Sequence, residues 1–357
     1  MSWEETRAEF PVFERFAYLN AGTNGPLSRS THQAMAEQER FDVESGRGGA
    51  AYFERALALR GEVRAKLAAA VGVEPALLSL STSTTNGCNI VLAGLGLGPD
   101  DELVTTDGEH FGLLGALAAS EADVGVAPVR ELPPEESLPV LLDAVTPRTR
   151  LIALSHVCWM TGNRFPVEEL RRESGVPVLV DGAQSAGAIP VDAAEVDFYA
   201  FSCQKWLCGP DATGGLVVRD PEALAVTAPS YLSQQAYEPT GAFTPREGAA
   251  RFDSNWTPVP SLAGLSAALD LAPDGRFGQA AAMAARCREL LGERVVTASG
   301  QGTLVTFRAE GDTRELVQRL YAEGVVVRDV PGFGWLRVSC GWWTTEEDLR
   351  RLVDALP

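Results

Sequence analysis

Short apolar runs that end abruptly in polar or small residues alternate along this chain with longer stretches in which apolar positions recur every three or four residues. The first kind reads as buried strand, the second as helix with one apolar face. Strand patterns fall at residues 78–81, 102–106, 122–130, 149–155, 176–181 and 196–202, with a returning strand at the end of 209–218. Helical patterns fall at 30–41, 51–71, 88–95, 138–145, 167–174 and 261–271. Strands alternating with helices predict a doubly wound α/β domain with a mostly parallel sheet.

Beyond residue 273 the order changes. A long Ala/Arg/Leu helix is followed by a strand at 302–307, a helix at 313–323 and strands around Val325 and Trp335. A last helix lies behind the capping box Thr344-Thr-Glu-Glu347. This predicts a small α+β domain. Residues 1–20 read as a short helix and a strand, and residues 226–250 as a loop rich in Gly, Pro and Thr. The expected division is an N-terminal segment 1–20 packing on the small domain, a large domain 21–272 and a small C-terminal domain 273–357.

A chain of 357 residues has ample length for two cores. Its formal net charge of −18 repels phosphate backbones and anionic lipid, which argues against nucleic-acid or membrane-surface binding. No apolar run approaches the roughly 18 residues of a bilayer span. The acidic N-terminus lacks an apolar signal core, so a cytoplasmic protein is expected. The six cysteines, Cys88, Cys158, Cys203, Cys208, Cys287 and Cys340, include no Cys-x-x-Cys pair and form no ligand pattern with His. Reduced, buried thiols are expected rather than a metal site.

The candidate chemistry lies at two strand tips. One run ends on Asp181, followed by Gly-Ala-Gln184-Ser; the next ends on Ser202-Cys-Gln204-Lys205-Trp. Ligands of an open α/β sheet bind beyond the carboxyl ends of its strands, so both tips should face one crevice. A carboxylate and an amine there suit pyridoxal 5'-phosphate (PLP). The lysine joins the cofactor's aldehyde, and the acid keeps the pyridine nitrogen protonated so that the ring draws electrons. Earlier in the chain, Thr82-Ser-Thr84-Thr85-Asn-Gly opens a helix whose free N–H groups and positive end suit a phosphate. Taken singly, these features have plainer readings. Charged residues at strand ends are usually solvated, and hydroxyls at helix starts are usually caps.

Read together, Val-Asp181-Gly-Ala-Gln184-Ser and Ser202-x-x-Lys205-Trp-x-x-Gly-Pro resemble the class V aminotransferase group of fold-type I PLP-dependent enzymes. That group includes cysteine desulfurases, selenocysteine lyases and isopenicillin N epimerase. The resemblance implies the fold-type I architecture, a large domain with a mostly parallel sheet of the seven-stranded type, a small domain, and a homodimer with active sites between subunits. It also implies roles by position. Thr84 and Thr85 receive the phosphate, His110 stacks on the ring, and Gln184 donates to the ring 3-oxygen. Ser202 and Gln204 flank the lysine, Gln204 standing where the family has a phosphate-contacting His. Thr23 and Asn24 pass over the substrate face. Arg337 forks onto the substrate α-carboxylate, a geometry that Lys cannot supply.

Besides Gln204, two positions depart from the family pattern. Trp159 stands where a substrate-binding Asn is expected, with Asn163 four residues on. Trp256 or Thr257 stands where a Gly-Thr reaches the partner subunit's phosphate. Trp159, Trp256, Trp342 and Trp343 are candidates for an aromatic-walled pocket, while His156 reads as structural and His32 as a surface residue.

The resemblance gives Lys205 the task of taking the substrate's Cα proton. Desulfurases carry a nucleophilic Cys shortly before the carboxylate arginine. Here the interval 328–336 has none, and Cys340 follows the arginine in a strand. The expected activity is therefore at Cα/Cβ of an α-amino acid, by C–S lyase (β-elimination) or epimerase-type chemistry. Aminotransferase or desulfurase-like sulfur transfer is the alternative, and a PLP-fold scaffold is the non-enzyme one.

Overall fold

The computed structural model describes residues 2–298 and 300–357. Helix α1 (Trp3–Arg7) and strand β1 (Ala17–Tyr18) precede two long helices, α2 (Arg29–Ser45) and α3 (Ala50–Ala70). The α/β body follows as β2 (Leu78–Ser81), α4 (Thr84–Leu95), β3 (Glu102–Thr106), α5 (Phe111–Ala118), β4 (Asp123–Ala127) and α6 (Pro134–Asp143). It continues with β5 (Thr149–Ser155), α7 (Val167–Ser174), β6 (Val178–Asp181), β7 (Phe198–Ser202) and β8 (Gly214–Val218). A hairpin, β9 (Gln234–Tyr237) and β10 (Phe243–Pro245), leads to α8 (Val259–Asp270) and α9 (Arg276–Leu291). The chain ends with β11 (Leu304–Arg308), α10 (Thr313–Ala322), β12 (Val325–Val326), β13 (Arg328–Val330), β14 (Trp335–Ser339) and α11 (Glu346–Ala355).

Seven strands form one sheet in the order β2-β8-β7-β6-β5-β3-β4. Only β8 runs against its neighbours; the other pairings are parallel. The apolar runs are continuous because both faces of this sheet are covered. Leu103, Leu151, Ala153, Leu179, Phe198, Ala200 and Leu216 point into one core. Their neighbours Val104, Ile152, Leu154, Val178, Val180, Tyr199, Phe201 and Val217 point into the other, as the two-residue period of a strand requires. Helix α4 comes close to β7 because Gly87 lacks a Cβ. One built there would lie 2.8 Å from the Cβ of Ala200.

A second, antiparallel sheet has the order β11-β14-β13. Its core joins Val305, Phe307, Leu336 and Val338 to Leu291 of α9, Leu320 of α10 and Leu352 of α11. Strand β1 pairs in parallel with β12, Ala17 opposite Val325, which ties the start of the chain to this region.

The structure differs from the sequence pattern in several places. Helix α4 starts at Thr84, not residue 88, because the Ser83 side chain caps the Asn86 N–H and draws the hydroxyl-rich turn into the helix. Helix α6 starts at Pro134, where a proline loses nothing and Glu135 and Glu136 meet the positive end. The last capping box is one residue later than expected, with Thr345 and Asp348 exchanging bonds. The 226–250 loop contains the β9–β10 hairpin. Trp342 and Trp343 pack against Phe10 and Phe13 and belong to a core, not to a wall at the strand tips. No helix among the described residues is long and apolar enough to cross a membrane.

Candidate active site

Register brings the strand tips together. Ser155 on β5 lies opposite Asp181 on β6, which lies opposite Ala200 on β7. Strand order proceeds one way from β3 to β4 and the other way from β5 to β7, so the crevice opens at the switch point. A cavity of about 200 Å³ lies there, lined by Ser83, Thr84, Thr85, His110, Gly112, Ser155, Trp159, Asp181, Ala183, Gln184, Ser202, Gln204 and Lys205.

The cavity's charges lack solvation. Burial lowers the pKa of Lys205 from 10.5 to about 8; Asp181 opposes this, while Arg337 and Arg328 reinforce it. Burial raises that of Asp181, against the pull of Lys205 and the Ala183 N–H, which donates to Oδ1 at 2.9 Å. Burial and Lys205 together lower that of His110. Acid and amine are both pushed toward neutrality, so a ligand bearing its own charges would relieve both.

At the other end, Thr84 N–H and the Thr84 hydroxyl meet Ser202 Oγ at 2.8 and 2.9 Å, joining the first turn of α4 to the tip of β7. Ser83 Oγ accepts the Asn86 N–H. The Thr85 N–H, one of the orphan donors of a helix start, has no acceptor among the described residues. Gln204 Oε1, an acceptor, is buried without a partner. An unused donor at a helix N-terminus and hydroxyls are what a phosphate needs, to which Gln204 can add only the N–H of its amide. His110 Nδ1 accepts the Gly112 N–H at 3.0 Å and is therefore unprotonated. Its ring stands edge-on to Trp159, centroids 5.4 Å apart.

The turn at 21–26 crosses above. Gly25 N–H donates to the Gln204 carbonyl at 2.7 Å, and a Cβ at Gly25 would collide with the Lys205 carbonyl, so only glycine passes. Thr23 donates to Asn20 Oδ1 and receives Arg328 Nη1 at 3.4 Å. Asn24 is exposed, its carbonyl accepting the Tyr18 hydroxyl. Gln184 lines the cavity and its amide also ties the crossing turn to the sheet: Nε2 donates one N–H to the Gly22 carbonyl at 2.9 Å, and Oε1 accepts Trp206 Nε1 at 3.0 Å.

Against Trp159, itself a lining residue, lies a pair of cations. In the β13–β14 pairing Arg328 and Arg337 are direct cross-strand partners, a like-charge arrangement that is unfavourable by itself. Both guanidinium groups lie over the Trp159 ring, at 5.5 and 6.0 Å. Arg337 is 1% exposed and donates from Nη1 to the Trp159 carbonyl at 2.9 Å. Its Nε and Nη2, and Trp159 Nε1, are buried without partners. Burial first, then Arg328, pulls its pKa down to about 9. An anion is the missing partner.

Other candidates lie elsewhere. Thr257 is buried away from the cavity, and Trp256 packs on Tyr52 and Phe53. Asn163 does not replace the missing Asn. Its Nδ2 donates to the Arg130 and Leu132 carbonyls and its Oδ1 accepts the Ala298 N–H. His156 is buried and neutral, its pKa pushed by burial to about 3. All six cysteines are buried and unpaired. Two residues without a sequence-assigned role, Glu109 and Arg328, lie against the site. Their signals were adjacency to His110 and a hairpin position opposite Arg337.

An amine and an acid that both lack their ordinary solvation, facing a helix start with an unused N–H donor, define an enzyme that works through PLP. Residues 17–352 match the Aminotransferase class-V family, and the chain belongs to it. It is 29% identical to isopenicillin N epimerase of Streptomyces clavuligerus, covering 99% of this chain and 97% of that protein. A probable cysteine desulfurase of Methanothermobacter thermautotrophicus is 28% identical over 76% of this chain and 70% of its own length. Among solved structures, C-DES is 30% identical. A lysine-to-alanine mutant of it, with glycine covalently linked to the PLP cofactor, superposes with TM-score 0.90 over 98% of each chain. The complex of this cystine C-S lyase with its reaction product cysteine persulfide superposes with TM-score 0.89 over 97% of this chain and 98% of that one.

Proposed function

We propose that this PLP-dependent enzyme is a C–S lyase acting on an α-amino acid with a second carboxylate at its far end, as in a disulfide such as cystine. The observation that carries this reading is the Arg328–Arg337 pair. Two cations from cross-strand partners, both held over Trp159 and one sealed from solvent with unused donors, suit a substrate with two anions. A protein thiol as acceptor of sulfur is disfavoured because every cysteine is buried.

When bound, PLP supplies an electron sink in conjugation with the substrate's Cα. The chain's own residues do the rest. Thr84, Thr85, Ser202 and Gln204 would hold its phosphate, Asp181 would stabilise a protonated ring nitrogen, and His110 would lie against the ring. Arg337 takes the α-carboxylate and Arg328 the distal one, fixing the Cα–H bond toward Lys205. With its pKa near 8, Lys205 is a base close to neutral pH and takes that proton. The Cβ–S bond then breaks, the sulfur leaves with the electron pair, and hydrolysis of the remaining unsaturated amine gives pyruvate and ammonia. Trp159 closes the wall between the arginines and His110, and Thr23 and Asn24 sit above the substrate.

A homodimer belongs to this reading. Phe111, next to His110, is 77% exposed, and Val43, Phe53 and Trp256 are exposed around one groove near Thr257. A second copy would cover such surface and could bring Thr257 toward the partner subunit's phosphate. We read 21–272 as the cofactor domain, and 1–20 with 273–357 as the part that carries the arginines. Six unpaired cysteines suit a reducing compartment such as the cytoplasm.

The similarity to isopenicillin N epimerase over nearly the whole chain supports a second reading, return of the Cα proton on the opposite face. The test is incubation of the PLP-loaded protein with L-cystine and S-substituted cysteines in deuterated water. Pyruvate release supports elimination, Cα deuterium without pyruvate supports epimerisation, and neither with any substrate refutes both.

A further inference from the structure

Glu109 is a buried acid that the chemistry above does not use. It follows β3, immediately precedes His110 and is 6% exposed. Its Oε1 accepts the Thr106 hydroxyl at 2.6 Å, and its two oxygens accept the Ser155 N–H at 3.1 and 3.0 Å. Oε2 also accepts the Ser155 hydroxyl at 2.5 Å. Thr106 ends β3 and Ser155 ends β5, the two strands that flank the switch point. Ser155 itself lines the cavity and lies opposite Asp181 in the sheet.

Every partner of this carboxylate is a donor, so the surroundings are built for its ionised form. No Lys, Arg or His side chain pairs with it among the described residues. The ionisable groups around it are Asp181 on β6, Cys88 on α4 and Cys158 beyond β5, with His110 next in its own segment. None of the three across from it offers a positive charge. Burial raises the Glu109 pKa to about 7, and Asp181 adds to the rise. A buried carboxylate without a cation is costly, and the nearest place for one is the cavity it backs onto.

We infer that Glu109 is a positioning residue. It clamps the tips of β3 and β5, thereby holding His110 and Ser155 in place, and adds a second negative charge behind Asp181 for the cationic form of the bound cofactor. The inference rests on PLP dependence alone and is independent of which amino acid is the substrate.

The experiment is the pH titration of the visible band of PLP-loaded wild type, Glu109→Gln and Glu109→Asp. The glutamine keeps the shape but removes the charge: the hydroxyl facing its NH2 can turn to accept, while the other hydroxyl and the Ser155 N–H donate to its remaining oxygen. Its midpoint should fall by about one pH unit, while the aspartate, which keeps the charge, should titrate near wild type. A purely structural role would lower stability and leave the midpoint in place, and that result overturns the inference. If the glutamine variant does not fold, Ser155→Ala and Thr106→Val each remove one donor and should lower the midpoint in the same direction. Midpoints unchanged in both would equally overturn it.

Discussion

Replacing Lys205 by methionine should stabilise the PLP-free protein at neutral pH. Burial lowers the lysine's pKa from 10.5 to about 8. Below pH 8 the side chain is protonated in both folded and unfolded states, and the folded state carries the full cost of the buried charge. That cost is about 3 kcal/mol. Between pH 8 and 10.5 only the unfolded chain holds the proton, so the wild type gains stability as pH rises through this window. Methionine fills similar space without the charge. Asp181 loses the nearby cation that held its pKa down, which reduces the gain to about 1–2 kcal/mol. The assay is urea unfolding of both PLP-free proteins at equal concentration, at pH 7 and near pH 10.5. The variant's midpoint should be higher at pH 7, with the advantage vanishing at the upper pH. A variant less stable at pH 7, or an advantage that does not shrink with pH, would refute the reasoning that this amine is buried among too few compensating charges.

Arg337→Lys should raise KM for every amino-acid substrate by about 10–100-fold, because one ammonium cannot replace a two-pronged guanidinium. Arg328→Ala should raise KM by a similar factor only for substrates with a distal carboxylate; equal losses for alanine-like and cystine-like substrates would count against its role. Asp253→Asn tests the scaffold. This carboxylate is 3% exposed and bonds Arg60 at 2.8 Å and Arg64 at 2.6 Å. Leaving two guanidinium groups without a counter-charge should cost about 3–5 kcal/mol in urea unfolding, and a loss below 1 kcal/mol would contradict this.

The large sheet and its site were legible because local and global signals agree there. The run 149–155 is strand by apolar content, and Ser155 at its end is polar because the sheet stops and the crevice starts. Asp181, Lys205, Thr84 and His110 follow the same logic of apolar strand and polar tip. What could not be read depends on contacts distant in sequence. The Gln184 amide is engaged by Gly22 and Trp206, and nothing in residues 181–185 announces either. Arg328 gains meaning only when the hairpin register sets it opposite Arg337. Glu109 looks like a turn residue until Ser155, 46 positions away, closes on it. The helix starts at 84, 134 and 346 were missed by one to four residues, because capping by Ser83 and Thr345 is a matter of single hydrogen bonds, and the start at Pro134 one of a fixed dihedral angle.

The sequence contains two lysines, Lys66 and Lys205. Lys66 is held by Glu62 and Asp270, with N–O distances of 2.8 and 2.7 Å. Borohydride reduction of the PLP-loaded protein, followed by peptide mass mapping, therefore has a clear readout. A phosphopyridoxyl group on the peptide containing Lys205, absent after Lys205→Met, is the predicted result. A group on Lys66, or on neither, would contradict the assignment of the cavity beside Asp181 as the place where this enzyme holds its cofactor.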